Sequence, residues 1–186
     1  MADVCGKGPQ AAALTALIRH TVHAEVGHGF APADVLRRVN TAMLRHQGGS
    51  RARFATMVHA AMTVDPDGAT ITLVNGGHPP ALVLRGDRVE SLAVPGTLVG
   101  VYPDPHLTEL EVRLAPGDSL LLYTDGVTEA RSPDGFYGPD RLVDLLASFR
   151  DASPDVIADG ILDAVSDFQD GRLRDDVALL VAQAQR

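Results

Sequence analysis

The feature that most constrains the fold is a change of hydrophobic period along the chain. Leu14, Leu17, Ile18 and Val22 recur with helical spacing between Pro9 and the glycines at 27 and 29. Val35, Leu36, Val39, Ala42 and Met43 repeat the pattern between Pro32 and Gly48-Gly49. Proline suits the first position of each helix, because the N–H it lacks has no partner there anyway. Beyond these helices the period shortens, and strands are predicted over 54–64, 69–75, 81–84, 88–92, 107–114 and 119–123. Asp65-Pro66-Asp67-Gly68, Gly86-Asp87 and Pro116-Gly117 separate them. Strands joined by turns this short run antiparallel, since a parallel pair needs a crossover of a dozen residues or more. Two further helices are predicted, over 139–149 and from Pro154, the second with Val156, Ile157, Ile161, Leu162, Val165 and Phe168 on one side. A buried strand over 177–181 closes the order. Two helices, a meander of strands, two helices and a strand predict an α+β fold and not a doubly wound parallel sheet.

The 186 residues suit a single domain spanning the chain, and a globule of this size buries roughly 70% of its unfolded surface without needing staples. The one cysteine, Cys5, excludes an internal disulfide and fits a reducing cytoplasm. A formal charge of −8 repels phosphate backbones and anionic lipids, so neither nucleic acid nor membrane is an expected partner. No apolar run approaches the ~18 residues of a transmembrane helix, and the first residues lack the apolar core of a signal peptide.

Three acidic positions stand at predicted strand ends. Asp3 lies in Ala2-Asp3-Val4-Cys5-Gly6-Lys7-Gly8, Asp125 follows the apolar run in Leu121-Leu122-Tyr123-Thr124-Asp125-Gly126, and Asp175-Asp176 precede Val177-Ala178-Leu179-Leu180-Val181. A carboxylate at a sheet end stays solvated and is aimed by a rigid strand. Several such ends together would form an oxygen-only site of the kind Mg²⁺ and Mn²⁺ prefer. Taken singly, each aspartate reads first as a turn residue, and spacing does not establish that they converge.

Four segments resemble, in order, the motifs of the SpoIIE/RsbU phosphatases within the PPM superfamily, the relatives of protein phosphatase 2C. They are Asp3-Val4-Cys5-Gly6-Lys7-Gly8, Asn75-Gly76-Gly77-His78-Pro79-Pro80-Ala81, Leu122-Tyr123-Thr124-Asp125-Gly126-Val127-Thr128-Glu129-Ala130 and Asp175-Asp176-Val177-Ala178. The resemblance implies an α-β-β-α sandwich of two antiparallel sheets flanked by helix pairs. It implies a site for two Mn²⁺ or Mg²⁺ ions held by Asp3, the backbone carbonyl of Val4, Asp125 and Asp175, with Gly126 and Asp176 beside these ligands. Such ions activate a water for in-line attack on phosphorus, so no protein nucleophile is needed. The implied activity is a protein serine/threonine phosphatase. The implied partners are a phosphorylated anti-sigma-factor antagonist and an upstream sensory domain in a parent protein, and a homodimer is left open. The competing reading is a non-catalytic regulatory or docking domain of the same fold.

The chain departs from the family pattern in two places. Ala2 stands where the family has glycine, and no Gly-Gly-Asp-x-aromatic-Asp string occurs. The expectation is a domain incomplete at its N-terminus, short of its first strand or strands and one metal-site aspartate, and therefore weakly active. Other candidates are set aside. Gly8 replaces the hydroxyl that a nucleotide-binding loop needs after Lys7. His20, His23 and His28 lack a completing ligand for zinc and read as a polar helix face. His78 reads as a hydrogen-bonding loop anchor, Cys5 as a small buried thiol, and Asp65, Asp67 and Asp134-Gly135 as turns.

Overall fold

Pro9 and Pro32 open the first two helices as expected, α1 (Pro9–Gly27) and α2 (Pro32–Gln47). These belong to a computed structural model that describes residues 1–47, 53–133, 135–171 and 175–185. The predicted stop at Gly48-Gly49 and the predicted turn residue Asp134 lie outside the described residues. Before the helices runs β1 (Ala2–Val4). After them come β2 (Ala55–Asp65), β3 (Gly68–Gly76), β4 (Ala81–Arg85), β5 (Arg88–Leu92), β6 (Glu109–Leu114), β7 (Ser119–Tyr123), β8 (Arg131–Ser132), β9 (Gly135–Phe136), α3 (Gly138–Ser148), α4 (Pro154–Phe168) and β10 (Leu179–Gln183).

The strands form two four-stranded sheets, β1-β2-β3-β6 and β10-β7-β4-β5, with β8 and β9 as a separate small ribbon. Together with the four helices among the described residues this is the predicted α+β architecture. Residues 1–62, 71–78 and 94–112 form one compact unit, and residues 63–70, 79–93 and 113–186 form another.

In the first unit α1 and α2 bury Leu14, Ile18, Leu36, Val39 and Met43 with Ala55, Met57, Val74 and Val99. The stripe on α2 follows the helical period, so one face is apolar throughout. Each such side chain contributes roughly 1.5–3 kcal/mol on burial. In the second unit the core joins Leu82, Leu84, Leu121 and Tyr123 of the sheet to Leu142 and Leu146 of α3 and Ile157, Ile161 and Val165 of α4. Ser153 caps α4, its hydroxyl accepting from the Val156 N–H at 3.4 Å.

Three expectations about burial and elements are corrected. On α4 the buried stripe is Ile157, Ile161 and Val165, four residues apart, while Val156 and Leu162 sit on its flanks, 54% and 36% exposed. The closing strand begins at Leu179 rather than 177. It is a sheet edge with one neighbour, β7, and Leu180 is 47% exposed rather than buried. The β8–β9 ribbon escaped prediction because two-residue strands carry no readable period.

Candidate metal and phosphate site

In the first unit Asp3 is the middle residue of β1, an edge strand antiparallel to β2, and pairs directly with Thr56. Main-chain bonds extend this short pairing at both ends. The Met1 amino group donates to the Val58 carbonyl at 2.8 Å, and the Cys5 N–H donates to the Phe54 carbonyl at 2.9 Å. Val4 packs against the core of its unit, which fixes the direction of its backbone. The chain then turns through Gly6 and Gly8, both at positive φ (97° and 90°) that disfavours a side chain. A Cβ at Gly6 would run into the Arg53 guanidinium. That guanidinium donates to the Cys5 carbonyl at 3.1 Å and to the Gln10 side chain at 3.2 Å. Cys5 itself is exposed, not buried: its backbone leaves the strand for the glycine turn and its thiol faces solvent.

The motif at 75–80 contributes a buried clamp in the same unit. The Asn75 side chain accepts from the His78 N–H at 2.7 Å and donates to the His78 carbonyl at 2.9 Å. The His78 ring sits with Nδ1 2.8 Å from the Thr56 hydroxyl. Asn75 and His78 are both buried, and the histidine is a hydrogen-bonded loop anchor.

In the second unit the strand before Asp125 is buried at every residue. Thr124, which ends it, ties the Asp125 turn to the segment after Asp175. Its N–H donates to the Ala178 carbonyl (3.1 Å), its hydroxyl donates to the Asp176 carbonyl (3.1 Å), and the same hydroxyl accepts from the Ala178 N–H (3.0 Å). The Asp125 carbonyl is engaged by the Glu129 N–H at 2.7 Å and the Thr128 hydroxyl at 3.3 Å. The Asp175 carboxylate accepts from the Asp176 N–H at 3.0 Å. Gly126 fits here because it has no side chain: a Cβ would stand 2.5 Å from the Asp176 carbonyl oxygen. Burial pushes the neighbouring Tyr123 hydroxyl above its ordinary pKa, so it stays neutral.

The structure therefore brings Asp125 and the Asp175–Asp176 pair to one end of β7 and β10. Asp3 belongs to the other unit, on its own sheet edge. Among the described residues, no group of three or more His, Cys, Asp or Glu side chains is gathered as a metal-holding cluster. The acidic side chains at the Asp125 end, those of Asp125, Asp175 and Asp176, offer oxygen donors, the kind that Mg²⁺ and Mn²⁺ prefer. Sequence reasoning gives no role to Thr124, Thr56, Asn75 or Arg53. The one available signal was that Thr124 and Asn75 fall inside the quoted motifs.

Comparison with known proteins bears on this geometry. The family described as Stage II sporulation protein E (SpoIIE) matches residues 1–185. The chain belongs to the SpoIIE family. Among relatives, the phosphoserine phosphatase RsbU of Bacillus subtilis is 28% identical over 183 residues, which cover 97% of this chain and 53% of RsbU. Protein IcfG of Synechocystis is 27% identical over 206 residues, covering 96% of this chain and 32% of IcfG. The chain thus spans about half the length of RsbU and a third of IcfG. Among solved structures, the RsbU and RsbW domains of a Mycobacterium tuberculosis protein superpose with a TM-score of 0.78 at 25% identity, covering 99% of this chain and 50% of that one. The PP2C phosphatase domain of SpoIIE from B. subtilis gives a TM-score of 0.78 at 17% identity, covering 99% and 53%. SpoIIE-family membership and a PP2C-type fold follow. Among the described residues no helix is long and apolar enough to cross a membrane.

Proposed function

We propose that this SpoIIE-family chain is a metal-dependent phosphoprotein phosphatase that hydrolyses phosphoserine or phosphothreonine. The observation that supports the reading is the closure of the Asp125 turn on the Asp176 backbone at the end of a buried strand, through the Thr124 hydroxyl and beside a glycine that admits no side chain. Asp3, Asp125 and Asp175, with the Val4 carbonyl, are the residues assigned to hold Mn²⁺ or Mg²⁺. Bound there, the ions would supply Lewis-acid charge to the phosphoryl oxygens and lower the pKa of water.

The chain's own residues do the positioning. Thr124 holds the Asp176 segment against the Asp125 turn through both donor and acceptor sites of one hydroxyl. The buried strand β7 leads into the Asp125 turn, whose backbone is held by the Glu129 N–H and the Thr128 hydroxyl on the Asp125 carbonyl. The glycine turn at 6–8 follows Asp3 and Val4 directly, and the Arg53 guanidinium packs over Gly6 and holds the turn through the Cys5 carbonyl. The proposed substrate is a small phosphorylated regulator of the anti-sigma-factor-antagonist type, a reading supported by the kinship with RsbU.

The test is phosphate release from a phosphoserine peptide, with and without Mn²⁺. Turnover that appears with Mn²⁺ and disappears on chelation is expected. Metal-independent turnover, or none under any metal, would reject the reading.

A further inference from the structure

The 75–80 motif and Thr56 have no part in the function proposed above, yet hydrogen bonds join the motif to Thr56, and the strand register sets Thr56 opposite Asp3. Asn75 locks the His78 backbone from both sides, at 2.7 and 2.9 Å. That fixes the ring, whose Nδ1 lies 2.8 Å from the Thr56 hydroxyl. Thr56 is the residue directly opposite Asp3 in the β1–β2 register. Directly opposed residues share one face of a sheet, with Cβ atoms about 4.5–5.5 Å apart. Asp3 stands on a three-residue strand at a sheet edge, where main-chain pairing comes from β2 alone among the described residues.

We propose that His78 is a positioning residue that acts through Thr56 to orient the Asp3 carboxylate. The chemistry is directional. A threonine hydroxyl has one hydrogen and two lone pairs. With the proton on His78 Nδ1, the ring donates to Thr56, and the hydroxyl hydrogen is free to turn toward the carboxylate across the strand pair. With the proton on Nε2, the hydroxyl must donate to the ring and offers Asp3 lone pairs only. The histidine tautomer thus sets whether the cross-strand neighbour of Asp3 attracts or repels it. Asn75 contributes by removing the backbone freedom that would let the ring leave.

The inference rests on the assignment of Asp3 as a metal ligand for its consequence in binding, but not for the orienting effect itself. Two measurements on the chain separate them. In the metal-free protein, three-bond NMR couplings report the χ1 populations of Asp3. In the presence of Mn²⁺, calorimetric titration reports affinity. Thr56→Val keeps the shape of the strand residue and deletes the hydroxyl, His78→Gln deletes the ring, and Thr56→Ser restores a hydroxyl. One dominant Asp3 rotamer is expected in the parent and in Thr56→Ser, and rotamer averaging in Thr56→Val and His78→Gln. Mn²⁺ affinity should fall about tenfold or more in the two disruptive variants, the usual weight of a residue that orients a ligand. The double variant should be no worse than either single one, since both break one path.

Unchanged Asp3 couplings in Thr56→Val would overturn the proposal even if thermal stability dropped. Altered couplings in a chain that binds no Mn²⁺ would uphold the orienting role and reject the phosphatase reading. Altered couplings with unchanged Mn²⁺ affinity would overturn the proposed consequence for the metal.

Discussion

Asp3 and Asp125 both stand on strands, but they are held by different means. Asp125 follows β7, which is buried throughout and paired on both sides, with β4 and with β10. Asp3 sits on β1, which has three residues and one partner. At the first place the sheet aims the carboxylate. At the second, Thr56 stands opposite in the register with His78 on its hydroxyl, and Arg53 holds the Cys5 carbonyl of the turn that follows. A buried strand tolerates the loss of any one polar contact, whereas an edge strand depends on each of its few.

The hardest test of this contrast is at the ligands. Asp125→Asn is expected to cost well over a hundredfold in Mn²⁺-dependent turnover, above the ~10–100-fold carried by residues that only orient a ligand. Steady-state hydrolysis of a phosphoserine peptide measures it. A loss no greater than that of Thr56→Val would erase the distinction.

Next comes packing. Leu121→Ala, in a fully buried position, should cost about 2–5 kcal/mol. Val4→Ala, half-buried at the sheet edge, should cost about 1 kcal/mol. Urea unfolding of the two variants gives the comparison directly, and equal costs would mean that β1 is as firmly built in as β7.

Gly126→Ala should fall between them. The new methyl meets the backbone oxygen of Asp176, which cannot rotate away, so about 1–3 kcal/mol is expected together with a loosened Asp125 turn. Thermal unfolding should shift downward by several degrees.

The smallest effects are those of pH. Burial, followed by the charge of the Met1 amino group, lowers the pKa of His59 on β2. A base with a depressed pKa in the fold binds protons more readily when unfolded. Its contribution to stability is therefore complete above about pH 6.5 and is lost as pH falls below that. Asp65 behaves at a different pH. Hydrogen bonds from the Arg113 guanidinium, and then from the Asp67 N–H, hold its carboxyl at about 2. That contribution is present above the ordinary carboxylate pKa and vanishes only as pH drops from about 4 toward 2. Amide hydrogen exchange across a pH series should show the β1–β2 pairing weakening first. Simultaneous weakening at the Asp65 turn would contradict it.

The elements were legible wherever a period could repeat. The helices opened by prolines and the hairpin at Gly86-Asp87 were readable because capping and turn chemistry are local. Asp125 and Asp175 could be singled out because carboxylates at strand ends beside glycine have a distinctive neighbourhood. Their approach to each other was not readable, because it depends on Thr124 bonding a segment far along the chain. The same holds for Thr56, an ordinary strand residue until the register with β1 sets it opposite Asp3. Cys5 is exposed, against the usual burial preference of cysteine, because the backbone has left β1 before this residue.

That thiol has a practical consequence. Cys5 is the chain's only cysteine and faces solvent two residues from Asp3. A maleimide fluorophore or nitroxide would therefore attach at one place, beside the glycine turn, and report on that turn without mutagenesis. For the same reason the thiol is open to oxidants in solution, so assays are best run with a phosphine reductant present.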